Sequence, residues 1–234
     1  MVHISPSHHY PTGLVMPIAR RQELLRWAQE VPARVILEDD YDSEFRFVGR
    51  PIPTLFSIDG GEQVVYLNTF SKTIAPSIRI SFMVLPRRLL ADFRQKLGFY
   101  ACTVSAFEQY TLAQFLAGGW YEKHLSRMRK HYRQKRDAVI AAVYKSPLAP
   151  YAAITEEDAG LHFLLRLDGA PLDETLRREA EQRGIRLAML SDYYQCPQDA
   201  PQHVLVVNYT GIDLDRLPAA LERLAALWKE NDHV

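Results

Sequence analysis

Two stretches of the sequence hold residue types that could act together on one small molecule. The first, Glu38-Asp39-Asp40-Tyr41-Asp42-Ser43-Glu44, follows the apolar run Val35-Ile36-Leu37. The second, Thr69-Phe70-Ser71-Lys72-Thr73-Ile74-Ala75-Pro76-Ser77-Ile78-Arg79, follows Val64-Val65-Tyr66-Leu67. A lysine in a partly desolvated pocket can form a Schiff base with an aldehyde. An aspartate beside a pyridine nitrogen keeps that nitrogen protonated, so the ring can accept electrons from a carbanion. A tyrosine hydroxyl can hydrogen-bond a ring phenolate. Thr69 and Ser71 hydroxyls with the Arg79 guanidinium can hold a phosphate, the arginine through two parallel hydrogen bonds. Each piece is common alone; the set in this order is not. A rival reading takes Asp40-Tyr41-Asp42 as the magnesium-bound nucleophile pair of a phosphohydrolase. That reading needs a later acidic pair at the end of a third strand, and none follows the apolar run Ile78 to Leu85.

The elements that must position these residues follow from periodicity. The pattern predicts buried strands at Val35-Ile36-Leu37, at Val64 to Leu67 after a Gly60-Gly61 turn, and at Ile78 to Leu85, closed by Pro86. Helices are expected over Arg20 to Glu30, Arg87 to Lys96, Thr103 to Leu116 and Trp120 to Tyr144. The last carries Tyr121, Leu125, Met128 and Tyr132 on one stripe. Beyond Ser146-Pro147 the pattern resets. Strands are expected at Leu161 to Leu167, Ile185 to Met189 and Val204 to Asn208. Helices are expected at Leu172 to Arg183 and at Leu214 to Lys229, with Leu217, Leu221, Leu224 and Trp228 inward. This ordering predicts an α/β lobe over residues 1–95, a helical spine over 96–145 and a smaller α+β lobe over 146–234. In an open α/β sheet, ligands sit outside the carboxyl ends of strands, where both chemical stretches fall.

Three motifs carry a resemblance. Ser-Pro-Ser-His-His-Tyr-Pro-Thr-Gly (5–13), Glu-Asp-Asp-Tyr-Asp-Ser-Glu-Phe-Arg (38–46) and the Thr69–Arg79 stretch resemble the aminotransferase-like part of MocR/GabR-type transcriptional regulators. The similarity runs from about Ser5 to about Arg136 and continues more weakly through the C-terminal lobe. It implies the fold-type I architecture of pyridoxal 5′-phosphate-dependent transferases: part of the large-domain sheet with its helices, a long spine helix and a smaller C-terminal α+β lobe. By that resemblance Lys72 would form the internal aldimine, Asp39 would pair with the pyridine nitrogen and Tyr41 would contact the ring hydroxyl. Thr69, Ser71 and Arg79 would face the phosphate. Asp40 is the alternative pyridine partner, since adjacent strand residues point to opposite faces. No metal ligand set is implied.

With no membrane-length apolar run and no basic n-region at the start, a cytoplasmic protein is expected, and the resemblance further implies a homodimer that senses or transaminates a small amino compound. DNA would be reached only through an N-terminal winged-helix domain absent from this chain. Two other readings stand beside it: a working class I/II aminotransferase moving an amino group between an amino acid and a 2-oxo acid, and a truncated, cofactor-free fragment. Tyr10 stands where most class I/II aminotransferases carry an Asn, which is usual in the regulator branch. The position matched to their substrate-carboxylate arginine is Val206, with Arg186 or His203 as substitutes. The sequence also begins just before the 5–13 turn, so the first part of the cofactor domain is expected to be missing. Its loss would leave strand edges unpaired and apolar surface open.

Composition bounds the rest. Apolar residues make up 47% and charged ones 24%, values of a globular chain rather than a disordered one. Lys plus Arg and Asp plus Glu each total 28, so no net field favours nucleic acid. The basic run Arg127, Arg129, Lys130, His131, Arg133, Lys135 and Arg136 is therefore expected on the solvated side of the spine helix or in a dimer interface. Two cysteines, Cys102 and Cys196, without CxxC spacing fit a reducing compartment. No apolar run approaches the ~20 residues that cross a bilayer. His8 and His9 are expected to flank a turn near the cleft, and Tyr193, Tyr194 and Trp120 to be core or interface aromatics.

Overall fold

A computed structural model describes residues 1–49, 52–60 and 62–231, the side chains of 228–231 excepted. Gly61 and the Trp228 side chain, both part of the expectations above, lie outside the described residues. The chain divides into two compact units. One holds residues 1–9 and 14–130, the other residues 10–13 and 131–234.

In the first unit a four-stranded sheet runs in the order β1 (Val2–Ile4), β2 (Ile36–Asp39), β3 (Val64–Thr69), β4 (Ser81–Val84). The first three strands are parallel and β4 is antiparallel to β3. Helix α1 (Ile18–Gln29) supplies the parallel crossover from β1 to β2. Its Leu25 and Ala28 pack with Ile36, Val64 and Leu55, the last from the single-turn helix α2 (Leu55–Ile58). Thr54 caps α2 by accepting from the Ser57 amide at 3.0 Å. Helices α3 (Arg87–Leu97) and α4 (Ala106–Ala117) follow. The α4 cap is Ser105 rather than Thr103, its hydroxyl accepting from the Glu108 amide at 3.2 Å.

The long helix α5 (Trp120–Lys145) carries the expected stripe: Tyr121, Leu125, Met128 and Tyr132 are half-buried, and Val139 and Val143 are buried. Of its basic run, Arg127, Arg129, Lys130, His131 and Arg133 are exposed, whereas Arg136 is buried, with Nη1 donating to the Glu157 carbonyl.

The second unit holds an antiparallel sheet, β5 (Ala152–Thr155), β6 (His162–Leu167) and β7 (Val204–Asn208), with α6 (Asp173–Gln182) and α7 (Leu217–Asn231). Phe163 stacks on Tyr209 in its core. The expected strand Ile185 to Met189 does not form. That stretch meets β7 only at a Met189–Leu205 bridge and a Val206 amide to Ala188 carbonyl hydrogen bond. Asp192 accepts from the Met189 amide at 3.0 Å, which turns the chain into a 3-10 segment before a ladder can extend.

Tyr193, Tyr194 and Trp120 are 44%, 39% and 56% exposed, so none of them is core. At Gly13 a Cβ would stand 2.6 Å from the Glu156 Cβ, and φ is +71°, so only glycine closes the 10–13 turn there.

One face of the first unit stays uncovered. All four residues of β4 are exposed, and neither α3 nor α4 buries any residue. Apolar residues lie all round α4, yet Phe107 is 80% exposed and Tyr110 74%. A helix of that composition normally sits inside a core. Among the described residues no helix is long and apolar enough to cross a membrane.

Candidate functional site

Parallel pairing sets the carboxyl ends of β1, β2 and β3 along one edge of the sheet, with Ile4 opposite Glu38 and Asp39 opposite Leu67. Antiparallel β4 brings its amino end to the same edge, Ser81 opposite Thr69. Arg79 therefore reaches this edge ahead of an antiparallel strand, which begins at Ser81 rather than Ile78. The edge collects the acid run, the lysine loop 70–80 and Arg79.

The acid run divides by face. Glu38, Asp40 and Asp42 are buried while Asp39 and Tyr41 are half-buried, the alternation expected of extended chain. Glu38 accepts from the Leu55 and Phe56 amides, both at 2.8 Å, and so caps α2. Burial pushes its carboxyl up, opposed by those two amides and by Arg21. Asp40 accepts from Tyr66 Oη and Ser43 Oγ, each at 2.8 Å. Asn68 Nδ2 extends this network, donating to Tyr66 Oη at 2.9 Å and to Glu44 at 3.3 Å. Asp42 lies 2.9 Å from His8 Nδ1. Asp40 and Asp42 are thus engaged by protein partners, an arrangement unlike an open magnesium-bound nucleophile pair. Asp39 instead keeps 35% of its side chain exposed, with His3 Nε2 at 3.5 Å.

Lys72 stands in a turn closed by the Ile74 amide on the Phe70 carbonyl at 2.9 Å, exposed between the buried residues Ser71 and Thr73. Arg79 Nη1 donates to Ser71 Oγ at 3.2 Å, and Ser71 Oγ donates to the Ile78 carbonyl at 2.5 Å. Thr69 Oγ1 accepts from the Ser71 amide at 3.2 Å and donates to the Ile80 carbonyl at 3.1 Å. The three phosphate candidates therefore form one connected cluster. Helix α5 braces both loops: His124 Nε2 lies 3.0 Å from the Thr73 carbonyl, and Arg129 donates to the Glu44 carbonyl. A neighbouring cavity of about 280 Å³ is lined mainly by Ile74, Ile78, Ile80, Phe107, Leu112 and Phe115. With so few polar groups it offers no cradle for a phosphate.

Chemically, the edge presents an exposed primary amine, a guanidinium joined to the Ser71 hydroxyl, and a half-open carboxylate with a phenol on the same face of the run. These groups match the aldehyde, phosphate and ring nitrogen of pyridoxal 5′-phosphate, so the residues present fit that group. In the second unit, Val206 is buried beside Leu190 and Val204 and carries no charge for a carboxylate. Of the two substitutes, Arg186 is exposed, whereas His203 is tied by Nδ1 to the Pro171 carbonyl at 3.0 Å. Tyr10 packs edge-on against His162 and Tyr193 and shares a phenol–phenol hydrogen bond with Tyr193. Burial, and after it that bond, pushes the Tyr193 phenol up to about 12.

The half-buried network that joins Tyr66 and Asn68 to Glu44 is not among the expectations drawn from the sequence. The signal was available, since Tyr66 and Asn68 are polar residues two apart in a strand and so share a face. Burial raises the Glu38, Asp39 and Glu44 carboxyls alike. A raised carboxyl binds its proton more readily folded than unfolded, so stability rises as pH falls from neutral toward the free-glutamate value of 4.5. Glu44→Gln is expected to flatten that pH dependence of melting without lowering the melting temperature at neutral pH. A steeper dependence in the variant would contradict the assignment.

Comparison with known proteins agrees with this reading of the fold. The family model described as "Aminotransferase class I and II" matches residues 1–228. The HTH-type transcriptional regulator YdeL of Bacillus subtilis, itself described as uncharacterized, is 38% identical over 98% of this chain and 49% of its own length. The probable rhizopine catabolism regulatory protein MocR of Rhizobium meliloti is 36% identical over 91% of this chain and 42% of its own. The chain spans about half the length of the curated relatives it matches. Among solved structures, the Pyrococcus horikoshii kynurenine aminotransferase superposes with a TM-score of 0.83 at 27% identity, covering 100% of this chain and 57% of that one. The α/β fold is thus that of fold-type I aminotransferases, and the chain belongs to the aminotransferase class I and II family, with regulators of the MocR type among its relatives.

Proposed function

We propose that this chain is the pyridoxal 5′-phosphate-binding, aminotransferase-like effector part of a MocR/GabR-type transcriptional regulator. The observation that carries the reading is the exposed Lys72 amine on the loop whose Ser71 hydroxyl and Arg79 guanidinium are already joined, at the same sheet edge as Asp39. When bound, the cofactor supplies an aldehyde and an electron-accepting ring. Lys72 is the amine that would meet that aldehyde. Arg79, Ser71 and Thr69 would hold the phosphate, the two hydroxyls turning from the Ile78 and Ile80 carbonyls they now reach. Asp39 would hold the proton on the ring nitrogen, and Tyr41 would donate to the ring oxygen.

The ligand is a small amino compound that takes the place of Lys72, and the buried, uncharged Val206 supports sensing over turnover. A working aminotransferase is the second reading, favoured by the 27% identity to a kynurenine aminotransferase. There Lys72 also moves the proton between substrate carbon and cofactor. The regulator reading places the protein in the cytoplasm, as a homodimer. The exposed apolar α4 supports burial against further protein. DNA contact falls to a helix-turn-helix region outside the matched part of the relatives.

Pyridoxal phosphate added to the protein as encoded is expected to give a visible absorbance band that is lost in Lys72→Ala. Persistence of the band in that variant overturns the lysine assignment. Multiple-turnover release of a 2-oxo acid from an amino acid would decide for the enzyme over the sensor.

A further inference from the structure

His8 is 1% exposed and Asp42 2%, and neither belongs to the set assigned to the cofactor. His8 Nδ1 lies 2.9 Å from Asp42 Oδ2, and since a carboxylate only accepts, Nδ1 carries the hydrogen. The bond joins the 5–9 turn to the end of the acid run across 34 residues of chain. Both members flank Tyr41. Asp42 is its neighbour in sequence, and the His8 ring centroid stands 6.5 Å from the Tyr41 ring, tilted by 37°.

Strand β2 ends at Asp39, with the Asp40 amide donating to the Leu67 carbonyl at 2.9 Å just beyond it. From there strand pairing no longer sets the direction of the phenol. Asp42 is pinned twice beyond it, its carbonyl accepting from the Phe45 amide at 3.0 Å and its carboxylate from His8. We propose that His8, acting through Asp42, is a positioning residue that aims Tyr41 at the ring oxygen of the bound cofactor. The inference rests on the cofactor reading above.

The proposal has a spectroscopic consequence. A Tyr41 phenol on the ring oxygen competes with the proton held at the Lys72 nitrogen once cofactor is bound. Losing the phenol, or its aim, lets that nitrogen keep its proton to higher pH. The other ionisable groups at this edge, Asp39, Asp40, Glu44 and His3, stay unchanged in every variant. The experiment titrates the visible band of the cofactor-loaded protein in wild type, Tyr41→Phe, His8→Gln and the double variant. His8→Gln keeps a buried polar side chain but moves its donor out of line with Asp42.

Tyr41→Phe and His8→Gln are each expected to raise the midpoint by about one pH unit, a tenfold change in proton affinity. The double variant should shift no further than Tyr41→Phe alone, because the two act through one bond. His8→Asn, which keeps a donor at the Nδ1 position, should restore the wild-type midpoint. A His8→Gln protein that titrates as wild type, whether or not it melts lower, overturns the proposal, as does a shift additive with Tyr41→Phe. If wild type gives no band at all, the cofactor reading fails first and this inference with it.

Discussion

Replacing Arg21 with methionine is expected to leave the first unit largely unfolded. Arg21 and Glu38 are both fully buried, with Nη1 3.9 Å from Oε1. The guanidinium donates to the carbonyls of Met16 at 3.1 Å, Pro53 at 2.9 Å and Pro6 at 2.7 Å. It therefore ties the 5–9 turn, the entry to α1 and the approach to α2 onto one side chain. Removing one partner of a buried pair costs about 3–5 kcal/mol, because the other charge stays buried and unpaired. Set against a total of about 5–15 kcal/mol for a typical domain, that loss is decisive. Thermal unfolding followed by circular dichroism, with hydrogen exchange across α1, checks it. Arg21→Met/Glu38→Gln should recover part of the loss, since the glutamine leaves no uncompensated charge. A single variant that melts within a few degrees of wild type would refute the structural role.

Arg21 also shows where the sequence stops being legible. It follows Arg20 in an amphipathic helix and looks like another solvated arginine, yet its three acceptors lie in three separate loops. Only tertiary packing brings those carbonyls together. The same holds for β1 and β5: three residues of Val2–Ile4 and the Ala-Ala-Ile-Thr of 152–155 are too short or too weak in β propensity to register without a partner strand. The one-turn α2 is likewise held by Glu38, from a strand 17 residues earlier. By contrast β2, β3 and the long α5 read directly, because each carries its own hydrophobic pattern. Ile185 to Met189 carries such a pattern too, yet the capping turn at Asp192 ends it as a single bridge. At the candidate site the residue types were legible and the faces were not. Asp39 and Asp40 are equivalent acids until Tyr66 and Ser43 occupy one of them.

That difference yields the second large effect. Asp40→Asn is expected to act on stability: its carboxylate, 2% exposed, accepts from two half-buried hydroxyls, and weakening such bonds costs about 1–3 kcal/mol. Asp39→Asn should barely alter melting, since its pair with His3, which is 58% exposed, is a surface contact and such pairs contribute about 0–1 kcal/mol. Its effect should fall on the cofactor instead. An asparagine cannot hold the proton on a pyridine nitrogen, and loss of one preorganised group that stabilises developing charge costs about 10²–10³-fold. Asp39→Asn is therefore expected to slow conversion of an amino ligand by that factor while cofactor still binds through Lys72 and Arg79. The check is single-turnover absorbance beside melting curves for both variants. If Asp40→Asn folds normally and loses the conversion while Asp39→Asn keeps it, the pyridine partner is Asp40. In that case the polar network around Tyr66 would have to open to admit the ring, because the carboxylate it now holds would be needed elsewhere.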